Sequence, residues 1–325
     1  MQQNNIESGV AQERPASERI GLAVFGADGA AVVSTIIAAE AAGVRQIWMT
    51  QSGPAPDTLT LFAAAAARTS SVRLGTAIVP TYPRHPLMMA QQALALGDIA
   101  PGRLRLGIGP SHRPVIEGMY GIPMTAPLEH LREYGSVLRA ALWEGEVDYK
   151  GRFFTVKARL PRTPRTPILI SALGEGAFHL AGEVFDGAIS WVCPVPYLLE
   201  KALPALRAGA EKSGRAASPL VAHIPVALSQ DRPAMLAAAR RQLGRYGQLP
   251  FYASMFAHAG FPVTSDGTLT DELLDSLVVT GDETTVKQRL TDLLASGLDE
   301  LLVMGIAVAD AAGEQERLTR LLGQF

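Results

Sequence analysis

Eight short apolar runs recur along the chain, at residues 21–25, 46–50, 72–79, 104–108, 168–171, 187–191, 221–228 and 301–306, and each is followed by a segment of helical period. A strand wetted on one face alternates apolar with polar residues. Runs that stay apolar predict parallel strands covered by helices on both faces. Closing eight such strands into a ring removes the two edges that an open sheet would have to protect, so the expected fold is α/β, a (β/α)8 TIM barrel. A doubly wound open sheet is the alternative. The helix signals agree: Pro127 precedes Leu128, Leu131, Leu138 and Leu142 on one face, Asp282 stands as an N-cap before ETTVKQRLTDLLASG, and Gly43 ends a first helix over about residues 30–42.

Two stretches break the repeat. Residues 147–156, VDYKGRFFTV, read as a small hairpin turning at Lys150-Gly151, and residues 246–275 read as a long irregular insertion of the kind that forms lids or interfaces in barrels. Residues 19–325 are expected to form one barrel domain, preceded by a flexible arm over residues 1–18. Charged residues make up 18% of the chain and nearly cancel to a formal charge of -2, which gives nucleic acid or an anionic membrane no electrostatic footprint. A small-molecule substrate is the expected partner. A single cysteine, Cys193, allows neither an intrachain disulfide nor a multi-cysteine metal site and suits a reducing cytoplasm; it is expected as a small apolar filler. No run reaches the roughly 18 apolar residues of a membrane span.

Barrel chemistry sits in the loops at the carboxyl ends of the strands. Those loops begin at Phe25-Gly26, Thr50-Gln51-Ser52, PTYPRHP, GPSHRP, ALGEG and WVCP. The glycine-rich segments at Gly107 and Gly174 each lack the third glycine of a dinucleotide fingerprint and an acidic ribose-binding residue in register.

The succession RLGTAIVPTYPRHP, GRLRLGIGPSH, PLEHLREYGSVLRAALWEGEVDYKGRFF and PILISALGEGAFHLAGEVFDGAI, over roughly residues 20–310, resembles the bacterial luciferase-like monooxygenase superfamily, and within it the deazaflavin (coenzyme F420)-dependent oxidoreductases. The resemblance implies a barrel with an insertion region, a homodimer, and either coenzyme F420 or, as the alternative, FMN. It implies a cofactor phosphate at Ala172, Leu173, Gly174, Glu175 and Gly176, where small residues admit backbone N–H groups to an anion and the following helix adds its positive end. A tight strand-to-helix connection is the plainer reading of the same residues. By position, the resemblance also implies a non-proline cis peptide at Ala77-Ile78 behind the flat ring, with Thr50, Gly109, Ser111, Ser190 and Trp191 completing the cofactor contacts.

His112 is the first titratable side chain after the turn at Pro110-Ser111 and is the candidate catalytic residue, able to give or take a proton beside a hydride transfer. Its alternative role is a loop hydrogen bond. A glutamate stands at the matching position in the family's sugar-phosphate dehydrogenases. Glu117 and Tyr120 are weaker candidates, and Arg113 is a candidate for a surface ion pair. Where alcohol-oxidising relatives carry Asp-His after the second strand, this chain has Thr50-Gln51, which favours reduction of an acceptor over alcohol oxidation. His85 is expected to cap or pack, His223 to face either the pocket or the core, and the cluster Phe251, Tyr252, Met255, Phe256 and Phe261 to form packing or a subunit interface more than a lid. No metal site is expected. An enzyme moving a hydride between deazaflavin and a small organic substrate is the reading adopted; an FMN-dependent monooxygenase and a non-catalytic flavin-binding barrel are the alternatives.

Overall fold

The computed structural model describes residues 14–51 and 53–325. Its strands, in chain order, are β1 (Ile20–Ala23), β2 (Gln46–Met49), β3 (Arg73–Thr76), β4 (Val79–Pro80), β5 (Leu104–Gly109), β6 (Glu146–Lys150), β7 (Thr155–Arg159), β8 (Ile168–Ser171), β9 (Ala188–Ile189), β10 (Leu220–Ala227), β11 (Val279–Thr280) and β12 (Glu300–Gly305). Parallel pairing runs from β1 through β2, β3, β5, β8, β9, β10 and β12, and the β12–β1 pairing closes the ring. The fold is a (β/α)8 barrel.

Two additions explain where the apolar runs misled. The run at 72–79 is two strands, because the chain breaks step at Ala77-Ile78, whose peptide bond is cis. There the Ala77 N–H donates to the Met49 carbonyl (2.8 Å) and the Gln51 N–H to the Ile78 carbonyl (3.1 Å), while β4 shifts across to pair with β5. The short β11, which apolar patterning did not single out, pairs with β10 at Val226 and Ala227. The hairpin is β6 and β7 in antiparallel register from Glu146↔Arg159 to Lys150↔Thr155, so its turn is residues 151–154. The Glu133 carboxylate accepts from the backbone N–H groups of Arg152 (2.8 Å) and Phe153 (2.9 Å) and ties that turn to the barrel.

The barrel interior follows from register. Arg105 of β5 bonds Gln46 of β2 and Glu300 of β12; β5 neighbours neither strand, so these side chains meet across the lumen. Alternation along each strand then puts Trp48, Gly107 and Leu302 one step higher on the same face, and Thr50, Gly109 and Met304 at the top. Trp48 fills the middle of the lumen. Ideal Cβ atoms on Gly21 and Gly75 would stand 2.6 and 2.3 Å from its ring, so the flanking strands carry no side chain where the indole lies.

Three further expectations are revised. The insertion is not irregular: it holds the helices Pro250–His258 and Asp271–Leu277; of the aromatic cluster, Tyr252, Met255 and Phe256 are buried in this chain's own core, Phe261 is partly buried against it, and Phe251 is exposed. Leu128 does not share the buried face of its helix; it is 44% exposed, while Leu131, Leu138 and Leu142 are buried. Of the expected arm, residues 1–13 lie outside the described residues, and the part that follows is docked: Arg14 bonds Glu300 (2.7 Å) and Ala16–Glu18 forms a 3-10 turn. No described helix is long and apolar enough to cross a membrane.

Candidate active site

The helices of a barrel begin where its strands end, so their N-termini ring the same opening as the loops. Most are closed by side chains: Asp28 accepts from the N–H of Ala31, Asp57 from Thr60, Asp231 from Ala234, Asp282 from Thr285 and Asp310 from Gly313. Each aspartate satisfies one of the amide groups that a helix start leaves without an internal partner. The helix Glu175–Val184, like Pro127–Arg139 and Leu203–Lys212, has no side-chain cap, and its N-cap is Gly174. A Cβ on Gly174 would meet nothing within 4 Å. Gly174, Glu175 and Gly176 are exposed, and their amides face solvent with the positive end of the helix dipole beside them, whereas Ala172 is buried with its N–H donating to the Ile189 carbonyl (2.9 Å) and the Leu173 carbonyl accepts from the Tyr197 hydroxyl (2.9 Å).

Next to this opening, glycines let the strands crowd. A Cβ on Gly109 would lie 2.2 Å from Ser171 Oγ and 3.0 Å from Ile78 Cγ1, so Gly109, Ile78 and Ser171 make one close-packed floor at the top of the lumen. Thr50 continues the luminal row of Gln46 and Trp48 to the same level. Thr81 fixes the end of β5, its N–H (2.9 Å) and hydroxyl (3.2 Å) both donating to the Gly109 carbonyl, and His130 Nε2 stands 3.2 Å from that hydroxyl. Burial pushes the His130 pKa down to about 4, so the ring is neutral at neutral pH.

Ser111, with φ of 62°, turns the chain sharply after β5 and aims His112 back over the mouth. His112 is the N-cap of a short helix, Arg113–Gly118, where a loop was expected; its side chain caps nothing, and among the described residues its ring engages only Tyr246 (centroids 6.4 Å) and Tyr252 (5.8 Å). Burial, and behind it the Arg245 cation, hold its pKa below the ordinary value of 6.5. At neutral pH the working form is the uncharged imidazole, which accepts a proton more readily than it supplies one. Glu117 and Arg113 are taken by each other as an ion pair, and Glu117 also accepts from the Met124 N–H (3.0 Å). Tyr120 is exposed.

On the far side, Trp191 stacks on His223 (3.8 Å, 24°) and its Nε1–H donates to the Tyr246 hydroxyl (2.7 Å). His223 is thereby placed in the lumen beneath the mouth. Its Nδ1 accepts from the Val192 N–H (3.2 Å), its Nε2 faces Met304 Sδ (3.5 Å), and burial pushes its pKa down to about 3, so it supports the indole as a neutral ring. Ser190 is fully buried, and its hydroxyl accepts from the His223 N–H (3.4 Å). Burial also pushes the Cys193 thiol up to about 12, leaving it an inert filler. Gln51 is spent on its own loop, accepting from the Thr58 N–H (2.7 Å), and His85 Nδ1 accepts from Leu87 N–H (3.2 Å), a capping role.

The structure thus gathers Thr50, Ile78, Gly109, Ser111, His112, Trp191 and the Gly174 loop around one opening. It adds residues that strand-end reasoning did not reach: Ser171, Tyr246, Tyr252 and Arg245. The aromatic density after residue 246 was a signal, but nothing local says that its first two tyrosines face His112.

These features define a (β/α)8 barrel whose mouth carries a glycine-lined floor and an open amide cradle, a design suited to a flat cofactor with an anionic tail. The chain belongs to the luciferase-like monooxygenase family, whose model matches residues 10–300. It is 37% identical to an F420-dependent glucose-6-phosphate dehydrogenase of Microbacterium testaceum, over 52% of this chain and 53% of the relative. To a 5,10-methylenetetrahydromethanopterin reductase of Methanolobus tindarius it is 26% identical, over 88% and 92% of the two chains. Among solved structures, the coenzyme F420-dependent tetrahydromethanopterin reductase of Methanopyrus kandleri superposes with a TM-score of 0.74 at 23% identity, over 94% of this chain and 97% of the other. The shared architecture is the luciferase-like barrel.

Proposed function

We propose that this protein is a coenzyme F420-dependent oxidoreductase that reduces a small organic acceptor. The carrying observation is the uncapped helix start at Gly174 beside the Gly109, Ile78 and Ser171 floor. The relatives named as F420-dependent enzymes support the choice of cofactor. The residues fit the group: the amides around Gly174 would hold the phosphate-bearing tail, and the floor, with Thr50 beside it, would support the ring. When bound in reduced form, the deazaflavin supplies a hydride. This chain's residues bind and orient it, exclude water with Trp191, Tyr246 and Tyr252, and hold a neutral histidine above it. The absence of an acidic residue after β2, where Thr50 and Gln51 stand, supports reduction over alcohol oxidation. A cytoplasmic homodimer is the assembly expected for it.

The competing reading is an FMN-dependent monooxygenase, supported by the family's description as luciferase-like monooxygenases and by a solved neighbour of the same fold in complex with FMN. Fluorescence titration of the purified protein with both cofactors separates the two. Tighter binding of the deazaflavin is expected, and tighter binding of FMN would overturn the assignment. If neither binds, the mouth is not a flavin site.

A further inference from the structure

The geometry points to Tyr246 as the group that binds the substrate's carbonyl oxygen and delivers its proton, and to conjugated or aromatic carbonyl compounds as the substrate class; this inference rests on the reductase reading above. The Tyr246 hydroxyl oxygen receives two donors, Trp191 Nε1–H at 2.7 Å and an Arg245 Nη2–H at 3.1 Å. Those donors occupy the lone pairs. The hydroxyl's own proton must then be given to something else, and among the described residues no acceptor for it is recorded. A hydroxyl whose oxygen is held by the Trp191 N–H, with the exposed Arg245 as second donor, and that is left without an acceptor is a pre-set hydrogen-bond donor.

The surroundings decide what accepts it. Tyr246 stands between Trp191 and His112, with the Tyr252 ring 4.7 Å away and Phe25, 47% exposed, edge-on to Trp191 at 6.5 Å. Rings on these sides suit a flat, weakly polar molecule with one acceptor atom. Glu117, on the short helix that follows His112, is engaged by Arg113, and among the described residues no carboxylate accepts from the Tyr246 hydroxyl. A neutral His112 and the Arg245 cation leave the mouth tolerant of negative charge growing on the substrate oxygen.

In the step itself, a bound reduced deazaflavin would supply the hydride, with its electron pair, to the substrate carbon as the carbonyl or enone π bond opens. The Tyr246 O–H bond breaks as its proton passes to the substrate oxygen. The carbonyl compound would be reduced at the expense of that hydride donor, and the phenolate left on Tyr246 would be held by Trp191 and Arg245 until water returns its proton.

The test compares acetophenone with α-methylstyrene, in which a CH2 replaces the carbonyl oxygen in nearly the same shape. Binding of each is measured by ligand-observed NMR on the full chain, with and without oxidised coenzyme, so that no turnover is needed. The expected result is a preference of about tenfold for the ketone, lost in Tyr246→Phe and reduced in Trp191→Phe, where the hydroxyl is less firmly aimed. Thermal unfolding checks that Tyr246→Phe is folded. A preference that survives Tyr246→Phe, or equal or undetectable binding of the two ligands to the wild type, overturns the inference. With reduced coenzyme, Tyr246→Phe is expected to lower kcat about 100-fold with KM changed less. Failure of the protein to bind the deazaflavin would overturn the cofactor reading instead, and the ligand comparison without coenzyme would still report on Tyr246.

Discussion

The two ends of the lumen are built on opposite principles. At the bottom, the Arg105 and Arg14 guanidinium groups converge on the one buried Glu300 carboxylate, with Gln46 accepting from Arg105, topped by an indole seated between two glycines. At the mouth, a helix start is left uncapped and, among the described residues, the His112 ring makes no hydrogen bond and the Tyr246 hydroxyl has donors but no acceptor. Satisfied groups in low dielectric hold a structure together, whereas unsatisfied groups at an opening are available to a ligand. The same barrel therefore separates stability from chemistry by about the length of its strands. Substitutions at the bottom should change unfolding and spare binding, and those at the mouth should do the reverse.

The largest effect is expected from Glu300→Ala, which leaves the Arg105 guanidinium buried and unpaired at a cost of about 3–5 kcal/mol in denaturant unfolding. An unfolding midpoint like that of the wild type would break the comparison at once. The acid limb sharpens it. Burial raises the Glu300 pKa, but Arg105 and Arg14 together outweigh burial and hold the carboxyl below its usual value. A lowered folded pKa means the stabilisation is complete above the unfolded value of about 4.3 and is lost as pH falls through the folded one. Glu300→Gln should flatten that limb.

His112→Asn is next, with turnover reduced about 100-fold and deazaflavin affinity unchanged. Unchanged turnover would remove its chemical role. Because Arg245 helps to depress the His112 pKa, the acidic inflection of the kcat/KM profile should lie below 6.5 and move upward in Arg245→Gln. Gly75→Ala, which drives a methyl to 2.3 Å from Trp48, is expected to cost about 1–3 kcal/mol with no separate loss of cofactor affinity. The smallest structural effect belongs to Gly174→Ala: the site is open and its φ is −89°, so stability should hold within about 0.5 kcal/mol. Cofactor affinity should nevertheless drop about tenfold as the methyl keeps the anion from the amides. A large loss of stability there would show that the glycine serves the fold.

Much of the barrel was legible because each unit writes its own signal. The run at 104–108 and the Asp282 N-cap depend on neighbours a few residues away, and both stand where the sequence placed them. The run at 72–79 was legible as strand but not as two strands, since apolar patterning cannot register a backbone that breaks step at Ala77-Ile78. Leu128 shows a related limit: periodicity assigns a face, but whether the face is covered at its first turn depends on what packs there. The insertion was misread as irregular because its helices are short and their burial comes from the barrel rather than from their own pattern.

The site divides along the same line. Local chemistry in the chain determined the strands, the glycines that let them approach, the turn at Pro110-Ser111 and the histidine that follows it. Only the tertiary structure decided that Tyr246 and Tyr252 stand beside His112, that Trp191 donates to Tyr246, that Ser190 is fully buried and that Gln51 and Glu117 are already engaged. The reason is physical: a strand or a cap is set by contacts within a few residues, whereas which polar group is left without a partner depends on every element that closes around it.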